Sequence, residues 1–194
     1  MAAIALLALV ALIAGQRITR SRPPAATAVA GDEVGAQSAT GDDTSRAPVP
    51  APDISNLTPE ERAERLFNVI MTRVEEGDTA RVQFLAPMAL QAYQQLPRLT
   101  IDDRYHLGRI GAVTGVALLT TAQADTILRL QATHLLGLVL AAQGARMRGD
   151  ESAARAFDKR LLAAQRVELK KQLPEYAQHA NDIARAIDAA KTRP

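Results

Sequence analysis

The side chains in this chain best suited to chemistry are three histidines, His106, His134 and His179, and three acidic pairs, Glu60-Glu61, Glu75-Glu76 and Asp102-Asp103. Paired carboxylates can divide the roles of general acid and base, and histidines can ligate metal or move protons near neutral pH. No HExxH or ExxH pattern places a second metal-type ligand with any of the histidines. Each therefore reads as a surface or helix-end residue, with a packed, hydrogen-bonded role as the alternative for His179. The acidic pairs read as first-turn or pre-turn carboxylates that offset helix dipoles. There is no GxSxG, no glycine-rich loop after a strand and no cysteine, which removes thiolate nucleophiles, zinc ribbons and Cys-ligated clusters. The expectation is a protein without catalytic, cofactor-binding or metal-binding residues, hence not an enzyme.

Positioning is the work of helices. Aromatic residues make up 3% of the chain against 47% hydrophobic, and Trp is absent, so the apolar side chains are mainly Ala, Leu, Val and Ile. That composition favours thin, closely packed helices over sheets. The formal charge is +2, with both signs interspersed and no basic block beyond Lys170-Lys171. Nucleic-acid binding needs a clustered positive face and stacking aromatics, and neither is present.

The amino terminus is different in character. Ala2 to Gly15 is uncharged and apolar, short for a bilayer core of about 30 Å unless the helix continues through Gln16 to Ile18 with Arg17 snorkelling outward. No Lys or Arg precedes the run, and the nearest Ala-x-Ala, Ala28-Val29-Ala30, lies beyond three arginines and Pro23-Pro24. This pattern fits an uncleaved anchor over residues 1–22 better than a cleaved signal. Arg17, Arg20 and Arg22 flank it on the carboxyl side, which predicts a single-pass inner-membrane protein with its helical domain in the cytoplasm; a periplasmic domain is the alternative. Residues 23–56, rich in Pro, Ala, Gly and Thr, read as a linker that is disordered or held by a partner.

Helical periodicity governs the rest. Thr58-Pro59 with Glu61 opens a first helix that Gly77 stops, and Asp78 caps a second that Pro87 should either kink or begin. Thr100 with Asp103 opens a third helix, ending near Val113. Val116 to Leu130, Thr133 to Arg148 and Glu151 onward give three more. A seventh starts at Pro174-Glu175 and carries Tyr176, Ala180, Ile183, Ala184 and Ile187 as its stripe.

Leu107-Gly108 with Gly111 matches Leu140-Ala141 with Gly144 at an offset of 33, and Gly115 and Gly149 lie 34 apart. With Ala153 and Phe157 on a following helix, this spacing resembles the tetratricopeptide repeat, a unit of two helices. Gly111 and Gly144 stand where that family has Tyr, the fourth-position Trp is missing, and Ala132 and Gln165 occupy the closing Pro positions. The resemblance implies an all-α, right-handed solenoid over residues 57–173, with 174–194 as a capping helix and tail. It further implies a concave groove formed by the first helices of each pair, lined by Phe67, Met71, Tyr105, Arg109, Val113, Leu138, Ala142 and Arg146. The family's carboxylate-clamp variety is not expected, because residues 100–150 contain neither Asn nor Lys. Such a protein would be a scaffold or accessory subunit of a larger membrane assembly, its partners being other proteins and, through the anchor, the bilayer. The alternative is an assembly factor that holds client segments transiently. No small-molecule substrate is expected.

Overall fold

The computed structural model describes residues 52–193. The predicted anchor, with Arg17, Arg20 and Arg22, lies outside the described residues, as does the linker up to residue 51. Among the described residues no helix is long and apolar enough to cross a membrane.

Eight α-helices and no strand make up the described chain: α1 (Pro59–Glu75), α2 (Thr79–Gln94), α3 (Ile101–Val113), α4 (Ala117–Leu130), α5 (Leu135–Met147), α6 (Glu151–Glu168), α7 (Pro174–Gln178) and α8 (Ala180–Thr192). Reciprocal capping boxes start α1 and α3, Thr58 with Glu61 and Thr100 with Asp103. Asp78 and Asp150 cap α2 and α6 by accepting from the backbone N–H groups of Arg81 and Ala153. Each cap satisfies a donor that the first turn would otherwise leave orphaned. Pro87 sits inside α2, which begins eight residues earlier on the Asp78 cap and runs through it.

The turns α1–α2, α3–α4 and α5–α6 are copies of one another. Gly77, Gly115 and Gly149 adopt φ of 73°, 80° and 73°, a region that costs residues with a Cβ. The residue after each lies near φ −85°, ψ 75°: Asp78 at −80°/73°, Val116 at −89°/79° and Asp150 at −90°/76°. Its N–H reaches back to the carbonyl of Arg73, Gly111 or Ala145 at 2.9, 2.8 and 3.0 Å. This Schellman closure reverses the chain within two residues, so each helix folds directly onto its successor as a hairpin.

The second and third hairpins stack because small residues let backbones approach. Between the hairpins, a Cβ on Gly137 would fall 2.7 Å from Cγ2 of Ile127; within the second hairpin, one on Gly111 would fall 3.0 Å from the backbone N of Thr120. Gly108 and Gly144 meet Leu140 and Thr121 in the same manner. The α1–α2 hairpin is joined differently, through Leu107 and Ile110 of α3, which complete a core with Leu66, Ile70, Leu85 and Tyr93. A second core gathers Tyr105, Ile127, Leu136, Leu140 and Leu161 with Tyr176, Ile183 and Ile187 of the terminal segment.

That terminal segment departs from expectation. The predicted seventh helix is two, broken at His179 (φ −107°, ψ 26°); the sixth is broken before Leu173, as expected, giving way to a 3₁₀ turn, Leu169–Lys171, that ends with Gln172 in the left-handed region. A buried polar network secures the bend. Glu168, 2% exposed, accepts from Gln131, Thr133, Lys171 and the Tyr176 hydroxyl at 2.9, 2.5, 2.8 and 2.9 Å. The Tyr176 oxygen in turn accepts the Leu135 N–H at the start of α5. His134 stands at a helix end, as the N-cap of α5, where it is fully buried with Nε2 3.2 Å from Glu175; of the two expected places, surface or helix end, it takes the second.

Burial pushes the His134 imidazole below its ordinary pKa even though the hydrogen bond and charge of Glu175, and the charge of Glu168, oppose the shift; Lys171 adds to it. Burial alone would raise Glu168, but hydrogen bonds from Lys171, Thr133 and Tyr176 hold it below the ordinary carboxylate value. In both cases the unfolded chain binds more protons than the folded one, so acid destabilises. The His134 contribution is lost as pH falls from about 6.5 towards the lower folded value, and that of Glu168 only at more acid pH. Urea unfolding at pH 7.5 and 5.5 should therefore show a larger loss of stability in the wild type than in His134→Gln. Equal losses would remove His134 from the acid response.

Candidate functional site

A cleft of about 700 Å³ lies between the first helices of the hairpins and the returning terminal segment, lined by Phe67, Met71, Arg109, Ala142, Arg146, Asp158, Asp182, Arg185 and Arg193, among others. α1, α3 and α5 contribute because they occupy equivalent places in the three hairpins. α8 contributes because His179 and Asp182 bring it back onto α3. Four arginines, Arg109, Arg146, Arg185 and Arg193, face three carboxylates, Glu75, Asp158 and Asp182, leaving a positive excess. The amides of Asn68, Gln143, Gln178 and Asn181 also line the cleft and offer both donors and acceptors.

The predicted groove residues divide. Phe67, Met71, Arg109 and Arg146 line the cleft together with Ala142. Tyr105 and Leu138 are fully buried and present no free surface, whereas Val113 is half-buried and packs against the core of the first hairpin; none of the three lines the cleft. Arg146 forms an ion pair with Asp158, which Arg193 approaches at 4.0 Å.

Tyr105 has a specific task. Its hydroxyl donates to Asp182 at 2.7 Å, across 77 residues of sequence. Asp182 also takes Arg185 at 2.5 Å and lies 3.6 Å from Nε of Arg109. Burial raises this carboxyl, but the Arg109 charge and the bonds from Tyr105 and Arg185 outweigh burial and leave it below the ordinary range. α8 is thus fastened across α3 by a charged, hydrogen-bonded anchor within the cleft wall, where a cap that merely covers the end of an array would leave the face open.

Beside this anchor a second cluster joins four segments. His106, 7% exposed, stacks on the Phe67 ring with centroids 3.8 Å apart and planes at 18°. Its Nδ1 lies 2.8 Å from the Tyr93 hydroxyl, and its Nε2 lies 3.2 Å from Nε2 of His179. His179 Nε2 is also 2.8 Å from Oδ1 of Asp102. Burial pushes His106 down to about 4, with Asp102 opposing and His179 reinforcing the shift. Burial raises Asp102, yet the His179 hydrogen bond and the neighbouring imidazoles leave it below its ordinary value.

One expectation is corrected here: His106 is neither a surface nor a helix-end residue but a buried packing partner of Phe67 and Tyr93. Asp102 and Asp103 both lie in the first turn of α3, as expected, with Asp103 closing the capping box, and Asp102 in addition bonds His179. The signal was present in the sequence: Asp102 precedes His106 by four residues, so the two share one helical face. His179 takes the packed, hydrogen-bonded role expected as its alternative, at the break between α7 and α8, although its partners are supplied by chain folding.

Comparison with protein-family models, curated proteins and solved structures finds no match. The functional reading therefore rests on the chain's own geometry.

Removing the Tyr105 hydroxyl takes one hydrogen bond from a charged acceptor that Arg109 and Arg185 still hold. Such bonds contribute about 1.5–3 kcal/mol when the acceptor is left bare, so Tyr105→Phe should lose about 1–2 kcal/mol in urea unfolding. Amide exchange should accelerate in α8 more than in α4. A change below about 0.5 kcal/mol with unchanged α8 exchange would mean that apolar packing alone holds the helix.

Proposed function

We propose that this domain is a non-enzymatic, tetratricopeptide-like interaction module that holds a segment of a partner protein in its cleft, as an accessory subunit or adaptor of a membrane assembly. The observation that carries the reading is the threefold recurrence of one glycine-closed hairpin, whose first helices line a single cleft. Hairpins that share a turn and pack side by side present the same helix face repeatedly, and an extended or helical peptide can follow such a face.

The lining supports a peptide more than a small apolar ligand. Phe67 and Met71 supply apolar contact, the arginine excess suits a segment with some acidity, and the four amides can pair with peptide backbone. The membrane tether is proposed from the apolar run and the Arg17, Arg20 and Arg22 flank, with the domain in the cytoplasm by the charge rule. A short array buries little by itself, so docking would also stabilise it by mass action.

The test is site-specific photocrosslinking in native membranes from two positions of the full chain. A photoreactive residue at Met71, in the cleft, should give a discrete adduct with one partner. The same residue at Phe84, 56% exposed on α2 and away from the cleft, should not. Adducts from Phe84 alone would move the interface to the outer helices. A chain recovered trimmed and outside the membrane fraction would end the tethered reading.

A further inference from the structure

We propose that Asp102, His106 and His179 form an open-sided site for a divalent transition-metal cation of the zinc type. The carboxylate and two imidazoles come from one face of α3 and from the break between α7 and α8, and their ligand atoms lie within 4.8 Å of one another. The separations are 3.2 Å between the two Nε2 atoms, 2.8 Å from His179 Nε2 to Oδ1 and 3.6 Å from His106 Nε2 to Oδ2. Zinc bonded at about 2.0 Å to imidazole nitrogen and carboxylate oxygen in tetrahedral geometry sets its ligands about 3.3 Å apart. The separations observed, to Oδ1 from one imidazole and to Oδ2 from the other, lie on either side of that edge.

Donor chemistry points the same way. An imidazole nitrogen has one in-plane direction, used either by a proton or by a lone pair. In the tautomer in which His179 Nε2 donates to Asp102 and His106 Nε2 carries a lone pair, a single proton is shared between Asp102 and His106 Nε2. A cation at the centre of the triangle accepts from all three atoms at once. Tyr93 stands in the outer position that histidine ligands use: when its oxygen accepts from Nδ1 of His106, the Nε2 lone pair is directed at the cluster. Phe67 fixes the plane of that ring by stacking, and Tyr105 packs on His179 with centroids 4.6 Å apart.

Two histidines and one carboxylate suit zinc, copper, iron or nickel better than calcium or magnesium. Three protein ligands leave a coordination position open, and His179 lines the cleft. Asp102 is partly exposed, so the open position is within reach of water. The inference stands on the cluster itself and does not depend on what the cleft holds.

The test is titration of the full chain, stripped with chelator, with Co²⁺ followed by Zn²⁺. One equivalent of Co²⁺ should develop the visible absorption of a low-coordinate site, and Zn²⁺ should displace it and raise the melting temperature. Asp102→Asn and His179→Gln should each weaken binding by more than about 100-fold, and Tyr93→Phe, which touches no metal, by about 10–100-fold. His134→Gln should leave binding unchanged. Asp102 is partly exposed, so Asp102→Asn retains the test if a histidine variant does not fold. Absence of stoichiometric Co²⁺ absorption, or binding insensitive to Asp102→Asn and lost in His134→Gln, would overturn the site and leave the cluster as a shared-proton network.

Discussion

The close approach of α3, α4 and α5 is the constraint on which the rest of the domain depends. Glycines at 108, 111, 137 and 144 place neighbouring side chains, and in one case neighbouring backbone, where a Cβ would otherwise stand. Four glycines within helices cost about 1 kcal/mol each in intrinsic propensity. The compensation is dense contact in a chain that has almost no large aromatic side chains with which to fill wider gaps. Because α4 sits tightly in both hairpin interfaces, α3 and α5 are brought to the same side of the molecule. The cleft and the polar clusters exist only because that side is shared.

What covers the shared face decides what the protein can bind. α8 does not simply extend the array. It returns to α3 through Asp182 and His179, buries Ile183 and Ile187 in the core built by α4, α5 and α6, and leaves the cleft beside itself. A face that would otherwise have been open along its length becomes a bounded site, with one wall from the carboxyl terminus. Under the proposed function, a segment held there would meet arginines and carboxylates that are already paired with one another and would have to compete with those ion pairs.

Local chemistry made much of the fold legible. Thr58 with Glu61 and Thr100 with Asp103 mark helix starts through hydrogen bonds made within three residues, and Gly77, Gly115 and Gly149 mark stops through a backbone region that glycine enters freely. Four of the groove positions, Phe67, Met71, Arg109 and Arg146, reach the cleft because hairpin equivalence carries side-chain direction with it. Tyr105 and Leu138 face inward, and Val113 is half-covered by the core of the first hairpin, because neighbouring elements supply contacts that no local pattern encodes. The histidines were obscured for the same reason. His106 and His134 acquire their burial from Phe67 and Tyr93 on one side and from Tyr176 on the other, residues 13 to 42 positions away. Only the four-residue step from Asp102 to His106 was readable, and its capping neighbour Asp103 offered a sufficient local explanation for the pair.

The two hairpin cores meet at a polar point, and this shapes how the domain holds together. Leu107 and Ile110 carry the apolar side of the junction. The other side is the stack of Phe67 on His106, the Tyr93 hydroxyl on the same ring, and His179 against Asp102, so α1, α2, α3 and the α7–α8 break all converge on one imidazole. Apolar contacts tolerate small shifts, whereas hydrogen bonds and ring stacking at these distances fix both position and rotation. A buried cluster of this kind adds little net stability over a well-packed apolar one but penalises every misaligned arrangement. The cluster sits at the least extensive interface, between the first hairpin and the rest, where it adds directional contacts to the apolar ones of Leu107 and Ile110.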